Sequence, residues 1–289
     1  MVSRWLVRLG VDDACVRGAG RYVSAAGLSH PDASLFATSA WGWHSSTFIG
    51  YRAVLSLFFL SGLVASLVTA PVRYVGRPET WPIYLTNQTL VILNAHLIVS
   101  LVLAVRQYLS QRNKKGFLPS SGDGGPARWQ HKLSWVLFNL SACLAPAVSA
   151  AYWTMIHDAS RAIDAENLVK HALAAAAIVV DVIVTATPVR LPHAWQPAAY
   201  LALYAAFSAA YWAAGGTDDH RRPRIYAFLD YGERPASAAA HAVAMATALP
   251  AFFFMPVYTL YRLRVWAVVR RARGRRSANY KYHDGGLAV

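Results

Sequence analysis

Long apolar runs separated by short polar stretches dominate the pattern of residues along this chain. Six of these runs approach the length of about 20 mostly apolar residues that a helix needs to cross a hydrocarbon core of about 30 Å. They lack the polar face that a core helix of a soluble protein presents. We therefore predict an all-α fold, a polytopic transmembrane helix bundle with six spans at residues 53–70, 83–105, 133–156, 168–186, 195–214 and 238–261.

The six spans divide the chain into three parts. Residues 1–49 form an N-terminal tail, residues 50–262 the membrane domain, and residues 263–289 a basic C-terminal tail. The N-terminal tail lacks the apolar core of a signal peptide, so we expect the first span to act as the start signal for insertion.

The distribution of charge predicts the orientation of the bundle. The chain carries 28 Lys and Arg residues against 14 Asp and Glu residues, a formal net charge of +14. Six spans place both tails on one side, together with the second and fourth loops, and most of the basic residues fall there. Because positive charge collects on the cytoplasmic side of membrane proteins, both termini are predicted to be cytoplasmic. The endoplasmic reticulum or the plasma membrane is the expected location.

Composition excludes several classes of protein. Only 15% of the residues are charged and the mean hydropathy is +0.30, whereas a soluble domain carries about 25% charged residues. The two cysteines, Cys15 and Cys143, cannot build a disulfide framework or a four-thiolate zinc site. The C-terminal arginines are expected to bind anionic lipid rather than nucleic acid. They are Arg262, Arg264, Arg270, Arg271, Arg273, Arg275 and Arg276.

Polar side chains inside the predicted spans are the first candidates for function, because hydrocarbon disfavours them unless they face a partner or a cavity. Spans two, four and six cross in the same direction, so Thr86, His171 and His241 fall at one depth near the outer face. His157 reaches the same layer from the end of span three. The full set is Thr86, Asn94, His96, His157, His171, Asp181 and His241.

Thr86 and His171 together suggest nucleophilic catalysis. A threonine hydroxyl attacks an acyl carbon only when a base removes its proton, and His171 is the predicted base. Both residues open a helix, where unpaired backbone N–H groups would stabilise a developing oxyanion. His157 and His241 are predicted to support this pair.

The acid that would orient His171 is not determined by the sequence. Asp181 lies ten residues further on, about 15 Å along a helix, and cannot hold the imidazole as the acid of a triad does. We expect Asp181 to pair with His96 or with a backbone donor. The alternatives for the orienting acid are Asp158, Asp164 and Glu166.

A zinc site is an alternative use of the histidines. His157, His171 and His241, with Asp230, could supply ligands at the outer face. No local spacing typical of a zinc site accompanies them, so we predict neither a metal nor a cofactor.

Seven stretches of the sequence resemble the rolling stone family of multispan membrane proteins. Their order and spacing agree over about residues 48–262, and the two tails are not covered. The stretches are WPIYLTN at 81–87, KLSWVLFN at 132–139, YWT at 152–154, KHAL at 170–173, PVRLPH at 188–193, YWAAGG at 211–216 and IYAFLDY at 225–231.

The rolling stone family is distantly similar to the androgen-induced membrane hydrolases, which cleave fatty acid esters of hydroxy fatty acids with a threonine and a histidine. This resemblance implies Thr86 and His171 as the catalytic residues, with Asp181 as the acid that follows the histidine. The sequence departs from the hydrolases at Leu168, where they carry a second histidine, and at Ala172, where they carry a threonine.

Two functions follow from these observations. The first is a lipid ester hydrolase of the outer, lumenal face, with a fatty acyl ester as substrate and membrane lipids as partners. Its acyl chain is expected to lie along the Ala-rich faces of spans four and six. The alternative is a non-catalytic membrane scaffold in cell adhesion or fusion, since the resembled family is associated with myoblast fusion.

Overall fold

The computed structural model describes residues 26–114, 125–157, 160 and 163–284. Within these ranges the chain is helical and forms no β-strand, although Ser39 and Thr185 make an isolated antiparallel bridge. Seven helices carry the fold of the described residues. They are α1 (Ser45–Arg73), α2 (Leu85–Lys114), α3 (Trp129–Ala151), α4 (Ala165–Val184), α5 (Trp195–Ala213), α6 (Pro235–Ala246) and α7 (Ala248–Asp284).

Five segments of the described chain are long and apolar enough to cross a membrane, which indicates a multi-pass membrane protein. The fifth predicted span forms α5, a helix of 19 residues without a charged side chain. Its Trp, Tyr and Gln residues lower its hydropathy, so α5 does not count among the five. The five segments are Ser45–Arg73, Leu85–Asn113, Trp129–Ile156, Ala165–Val184 and Pro235–Gly274.

Several helices extend beyond the apolar runs from which they were predicted. Helix α1 begins at Ser45, inside the predicted N-terminal tail, where the His44 side chain accepts the backbone N–H of Ser46. Helix α2 continues to Lys114, and α7 continues to Asp284 instead of ending near residue 261. Backbone hydrogen bonding does not stop where hydropathy falls, so an apolar run gives only the minimum length of a helix.

The last predicted span is broken at Thr247, whose backbone leaves the helical region with φ −121° and ψ −70°. Pro250 explains the position of the break. A proline lacks the backbone N–H that would bond four residues back, and its ring clashes with that carbonyl, which here belongs to Ala246. Pro250 is tolerated because it lies in the first turn of α7, where the N–H is not needed.

The largest hydrophobic core lies between α2, α3, α4 and α7, where Leu93, Phe138, Ile178 and Phe254 are almost completely buried. Helix α1 packs along α2 at the edge of the bundle. Many of its large apolar side chains, among them Val54, Val68 and Val72, remain exposed, as expected for a helix that faces lipid.

Part of the predicted N-terminal tail packs onto the bundle. Residues Ala33–Ala37 form a 3₁₀ turn, and Phe36 is buried against Trp135 with ring centroids 5.2 Å apart. The backbone N–H of Ala40 donates to Val184 O at the C-terminal end of α4. The hydropathy pattern did not reveal this contact, because the segment is short.

Arg264 also meets the C-terminal end of α4. Its guanidinium is buried and donates to the carbonyls of Val182 (2.7 Å), Thr187 (3.0 Å) and Thr185. These carbonyls have no partners within a helix that ends at Val184, so Arg264 satisfies them. The sequence placed Arg264 in the basic tail, whereas the structure assigns it to the packing of α7 against α4.

Candidate functional site

A polar cavity of ≈ 380 Å³ lies at the end of the bundle where α2 and α4 begin and α3 ends. Thr86 and His171, the two predicted catalytic residues, both line it. The segment between α5 and α6 closes the opposite wall with Tyr226 and Asp219. Since Arg73 at the end of α1 also lines it, the cavity brings together side chains from five parts of the chain.

Thr86 is the second residue of α2 and is half-buried. The Tyr226 hydroxyl accepts the backbone N–H of Leu85 at 3.0 Å, and Tyr226 lines the same cavity as Thr86. Burial raises the pKa of Tyr226, although its polar neighbours Thr86 and Leu85 act in the opposite direction. Tyr226 therefore stays a protonated hydroxyl beside Thr86 at neutral pH.

Three of the four backbone N–H groups at the start of α2 are already paired. That of Leu85 donates to the Tyr226 hydroxyl, and those of Asn87 and Gln88 donate to Tyr84 O at 3.0 and 3.1 Å. This helix end therefore presents fewer free N–H groups to an oxyanion than expected. The sequence could not show that a tyrosine about 140 residues away occupies one of them.

His171 lies in a π-helical turn, Leu168–Leu173, and is buried with a 3% exposed fraction. Its imidazole stacks on the phenol ring of Tyr152, with centroids 3.7 Å apart and ring planes 1° from parallel. Tyr152 lies in the second π-helical turn of the cavity wall, Tyr152–Ile156. Such turns widen a helix locally and are frequent at functional sites.

No acid of the described residues hydrogen-bonds to the His171 ring, and Nδ1 is buried without a partner. Asp164 and Glu166 instead pair with Arg73, at 3.0 and 2.7 Å. Asp158 lies outside the described residues. Among the described residues, Tyr152 stacking therefore fixes the plane of the imidazole, the task that an acid performs in a triad.

Lys170 is a cavity residue that the sequence analysis missed. Its ammonium group donates to Asn87 Oδ1 at 2.7 Å and pairs with Glu166 Oε1 at 2.5 Å. Asn87 in turn donates to the Tyr74 hydroxyl and to Trp81 O, both at 2.7 Å. A lysine next to His171 inside an apolar run was the available signal, because an intramembrane cation needs a partner.

His157 and His241 do not join Thr86 and His171 in the lining of the polar cavity. His157 follows the π-helical turn of α3, and its Nδ1 lies 3.4 Å from the Tyr152 hydroxyl. His241 Nδ1 lies 2.7 Å from Ser237 O in its own helix, and its ring packs on Phe228. His157 contacts Trp153 and Tyr152, the tyrosine that stacks on His171, and His241 belongs to a neighbouring pocket.

Asp181 lies in a separate buried cluster that links α1, α2 and α4. Its carboxylate pairs with Arg52 at 2.7 Å and with His96 Nε2 at 2.8 Å, and the Tyr51 hydroxyl donates to it at 3.0 Å. The expected pairing of Asp181 with His96 is present, and Arg52, which the sequence placed at the edge of the first span, is the additional partner. Asp181 does not line the cavity.

The histidines proposed as zinc ligands do not converge. Within the described residues, the group with the spacing for a metal ion is instead Asp218, Asp219 and His220 on the cavity rim. The Asp218 oxygens already accept two backbone N–H groups and Arg222 Nε, and Asp219 accepts the Tyr84 hydroxyl at 2.7 Å. These bonds show that the carboxylates organise the loop.

A second pocket of ≈ 120 Å³ adjoins the polar cavity, since Met155 and Phe228 line both. Apart from His241, its walls are apolar side chains of α3, α5, α6 and α7 together with Leu85 and Phe228. No residue of α4 lines this pocket, whereas Ala244, Met245 and Leu249 of the sixth predicted span do. Of the two spans predicted to hold an acyl chain, span six is thus the one next to the pocket.

Comparison with known proteins identifies the family. The family model described as Protein rolling stone matches residues 11–278. The chain is 23% identical to Protein rolling stone of Drosophila melanogaster over 210 residues, which cover 71% of this chain and 74% of that protein. No solved structure matches the chain. Since the family model spans most of the sequence, this multi-pass membrane protein belongs to the rolling stone family.

Proposed function

We propose that this protein is a membrane-embedded lipid ester hydrolase in which Thr86 is the nucleophile and His171 the general base. The observation that carries the proposal is that both side chains line one polar cavity, which opens beside an apolar pocket. A polar chamber next to an apolar one matches the two parts of an acyl ester, its carbonyl group and its hydrocarbon chain.

The reaction follows the usual course of acyl transfer through a covalent intermediate. Thr86 Oγ1 attacks the ester carbonyl carbon, and its proton passes to His171 directly or through one water. The bond to the alcohol oxygen then breaks, and His171 returns the proton to that oxygen. Water attacks the resulting acyl-threonine, again with His171 as base, and releases the carboxylic acid.

In this reaction the apolar pocket binds the acyl chain of the substrate. An engineered apolar cavity of roughly 150 Å³ binds benzene, so a pocket of ≈ 120 Å³ accommodates a short hydrocarbon segment. The proposed partners are membrane lipids with an acyl ester, so the proposed role of the protein lies in lipid metabolism. No cofactor enters the proposed reaction.

We also propose that α5 crosses the membrane, which brings the number of spans to six. Both termini are then cytoplasmic, and the membrane is that of the endoplasmic reticulum or the plasma membrane. Two contacts support an even number of crossings. Ala40, from the N-terminal segment, and Arg264, from α7, both meet the C-terminal end of α4. Both ends of the described chain therefore reach the same end of the bundle, and the cavity lies at the opposite, outer end.

The basic end of α7 is the proposed contact with anionic lipid. Arg270, Arg271 and Arg273 are exposed on the helix, beyond the buried Val268. Each arginine near an anionic leaflet contributes about 1 kcal/mol to binding. This contact is separate from the proposed catalytic site.

A fluorophosphonate probe tests the proposed nucleophile in the purified full-length protein. We expect the probe to label Thr86, and we expect ester hydrolysis to fall at least 100-fold in Thr86→Ala and in His171→Ala, because each removes one partner of the proton transfer. Thr154→Ala is the matched control, since Thr154 is exposed and its hydroxyl donates to Ala150 O of its own helix.

The same experiment separates the enzyme from a scaffold. A folded wild-type protein that neither labels nor hydrolyses esters would refute the proposed reaction and leave a non-catalytic scaffold in cell adhesion or fusion. Hydrolysis that survives in Thr86→Ala would remove Thr86 from the mechanism.

A further inference from the structure

The proposed reaction develops a negative charge on the ester carbonyl oxygen, which needs a hydrogen-bond donor fixed in place beforehand. Three of the first N–H groups of α2 do not provide it, because Tyr226 accepts that of Leu85 and Tyr84 O accepts those of Asn87 and Gln88. The Tyr226 hydroxyl keeps one O–H, which is a neutral donor. A charged donor forms a hydrogen bond about twice as strong, and cationic side chains line this cavity.

We propose that Lys170 is a catalytic residue that donates one ammonium N–H to this oxyanion; the inference rests on the proposed hydrolase function. A protonated lysine has three donors. One bonds to Asn87 Oδ1 and a second points to Glu166 Oε1 in the ion pair. The third donor is left for a group that enters the cavity, which Lys170 lines.

The position of Lys170 follows from its neighbours. It directly precedes His171, and its partner Asn87 directly follows Thr86. The 2.7 Å bond from Lys170 Nζ to Asn87 Oδ1 therefore joins the two chain segments that carry the proposed base and nucleophile. The ammonium group at this junction therefore lines the same cavity as Thr86.

The ammonium group is also held in place before the substrate binds. Lys170 is buried with a 7% exposed fraction; burial disfavours its charged form, and the ion pair with Glu166 opposes that effect. A fixed charge in a site shielded from water stabilises an oxyanion more than a solvated one does. Arg222 fits this role less well, because its side chain is 55% exposed and pairs with Asp218.

Kinetics of Lys170→Met test the inference in the purified full-length protein. The substitution removes the charge and keeps most of the side-chain length. Because an oxyanion donor acts in the transition state, kcat should fall by about 100- to 1000-fold while KM changes less than about threefold. An aryl boronic acid, which forms a tetrahedral adduct resembling the intermediate, should lose affinity by a comparable factor.

Arg73→Met is the matched control, since it removes a second cation that pairs with Glu166 and lines the same cavity. We expect its kcat to stay within about fivefold of the wild-type value. Equal losses of kcat in Arg73→Met and Lys170→Met would indicate a structural role for the ion network and overturn the inference.

The outcomes distinguish this inference from the proposed function. Thr86-dependent hydrolysis that persists at the wild-type kcat in Lys170→Met overturns the role of Lys170 alone, whereas a wild-type protein without hydrolysis overturns the proposed reaction. If Lys170→Met does not fold, Lys170→Gln replaces it, because the amide keeps a neutral N–H donor. Its kcat should fall by about 10- to 100-fold, and a wild-type kcat would again overturn the inference.

Discussion

At the scale of single residues, two clusters of charged side chains join α1 to α4. One contains Arg73, Glu166 and Lys170 at the cavity, and the other contains Arg52 and Asp181 deep in the bundle. A buried ion pair stabilises little compared with apolar packing, but the loss of one partner leaves an uncompensated charge. Arg52 and Asp181, which are both almost completely buried, therefore depend on each other.

Substitution of Asp181 tests this dependence. Asp181→Leu leaves Arg52 buried without its partner, so we expect the free energy of unfolding to fall by about 3–5 kcal/mol. The double variant Arg52→Met with Asp181→Leu should regain most of that loss. Denaturant unfolding of the purified protein in detergent measures both effects.

Asp164→Asn is the control for this experiment. Its carboxylate is 45% exposed in the pair with Arg73, so the change should lower the unfolding free energy by less than about 1 kcal/mol. Wild-type stability of Asp181→Leu would contradict a structural role for the deep cluster.

The sequence predicted these residues unevenly. It selected Thr86, His171 and Asp181 because ionisable and hydrogen-bonding groups stand out in an apolar run. It missed Tyr226, Tyr152 and Lys170, because their roles depend on contacts between segments distant in the chain. Hydropathy measures whether a residue suits a membrane, and it carries no information about which face of a helix meets which neighbour.

At the scale of helices, the cavity depends on how closely α1 approaches the π-helical turn of α4. A Cβ atom added at Gly62 would lie 3.0 Å from Val169 Cγ1, tighter than normal packing allows. Gly62 therefore permits the close contact that brings Arg73, at the end of α1, to Glu166. The apolar run predicted α1 itself, but the π-helical turns and this contact have no signature in the hydropathy pattern.

Gly62→Leu tests the contact between α1 and α4. The added side chain should push the two helices apart and lower the unfolding free energy by about 1–3 kcal/mol, as overpacking does. Gly50→Leu in the same helix is the control, because no atom lies within 4 Å of an added Cβ there. Thermal unfolding in detergent compares the two variants, and equal stability of both would contradict the proposed contact.

At the scale of the whole molecule, the packing of Ala40 and Arg264 onto one end of α4 leads to a prediction about topology. An even number of spans places epitope tags at the N-terminus and the C-terminus on the same side of the membrane. We expect antibodies to reach both tags only after the plasma membrane is permeabilised. A tag at either terminus that antibodies reach in intact cells, or that lies inside sealed microsomes, would contradict six spans with cytoplasmic termini.

The interruption at Thr247 has a consequence for access to the apolar pocket. Ala244 and Met245 belong to the 12-residue α6, whereas Leu249 and the buried Phe254 and Arg264 belong to the 37-residue α7. Part of the pocket wall therefore lies on a short helix that is separate from the helix anchored to α4. In the proposed hydrolase, we expect a lipid tail to enter from the bilayer by displacing α6 while α7 keeps its contacts with α4.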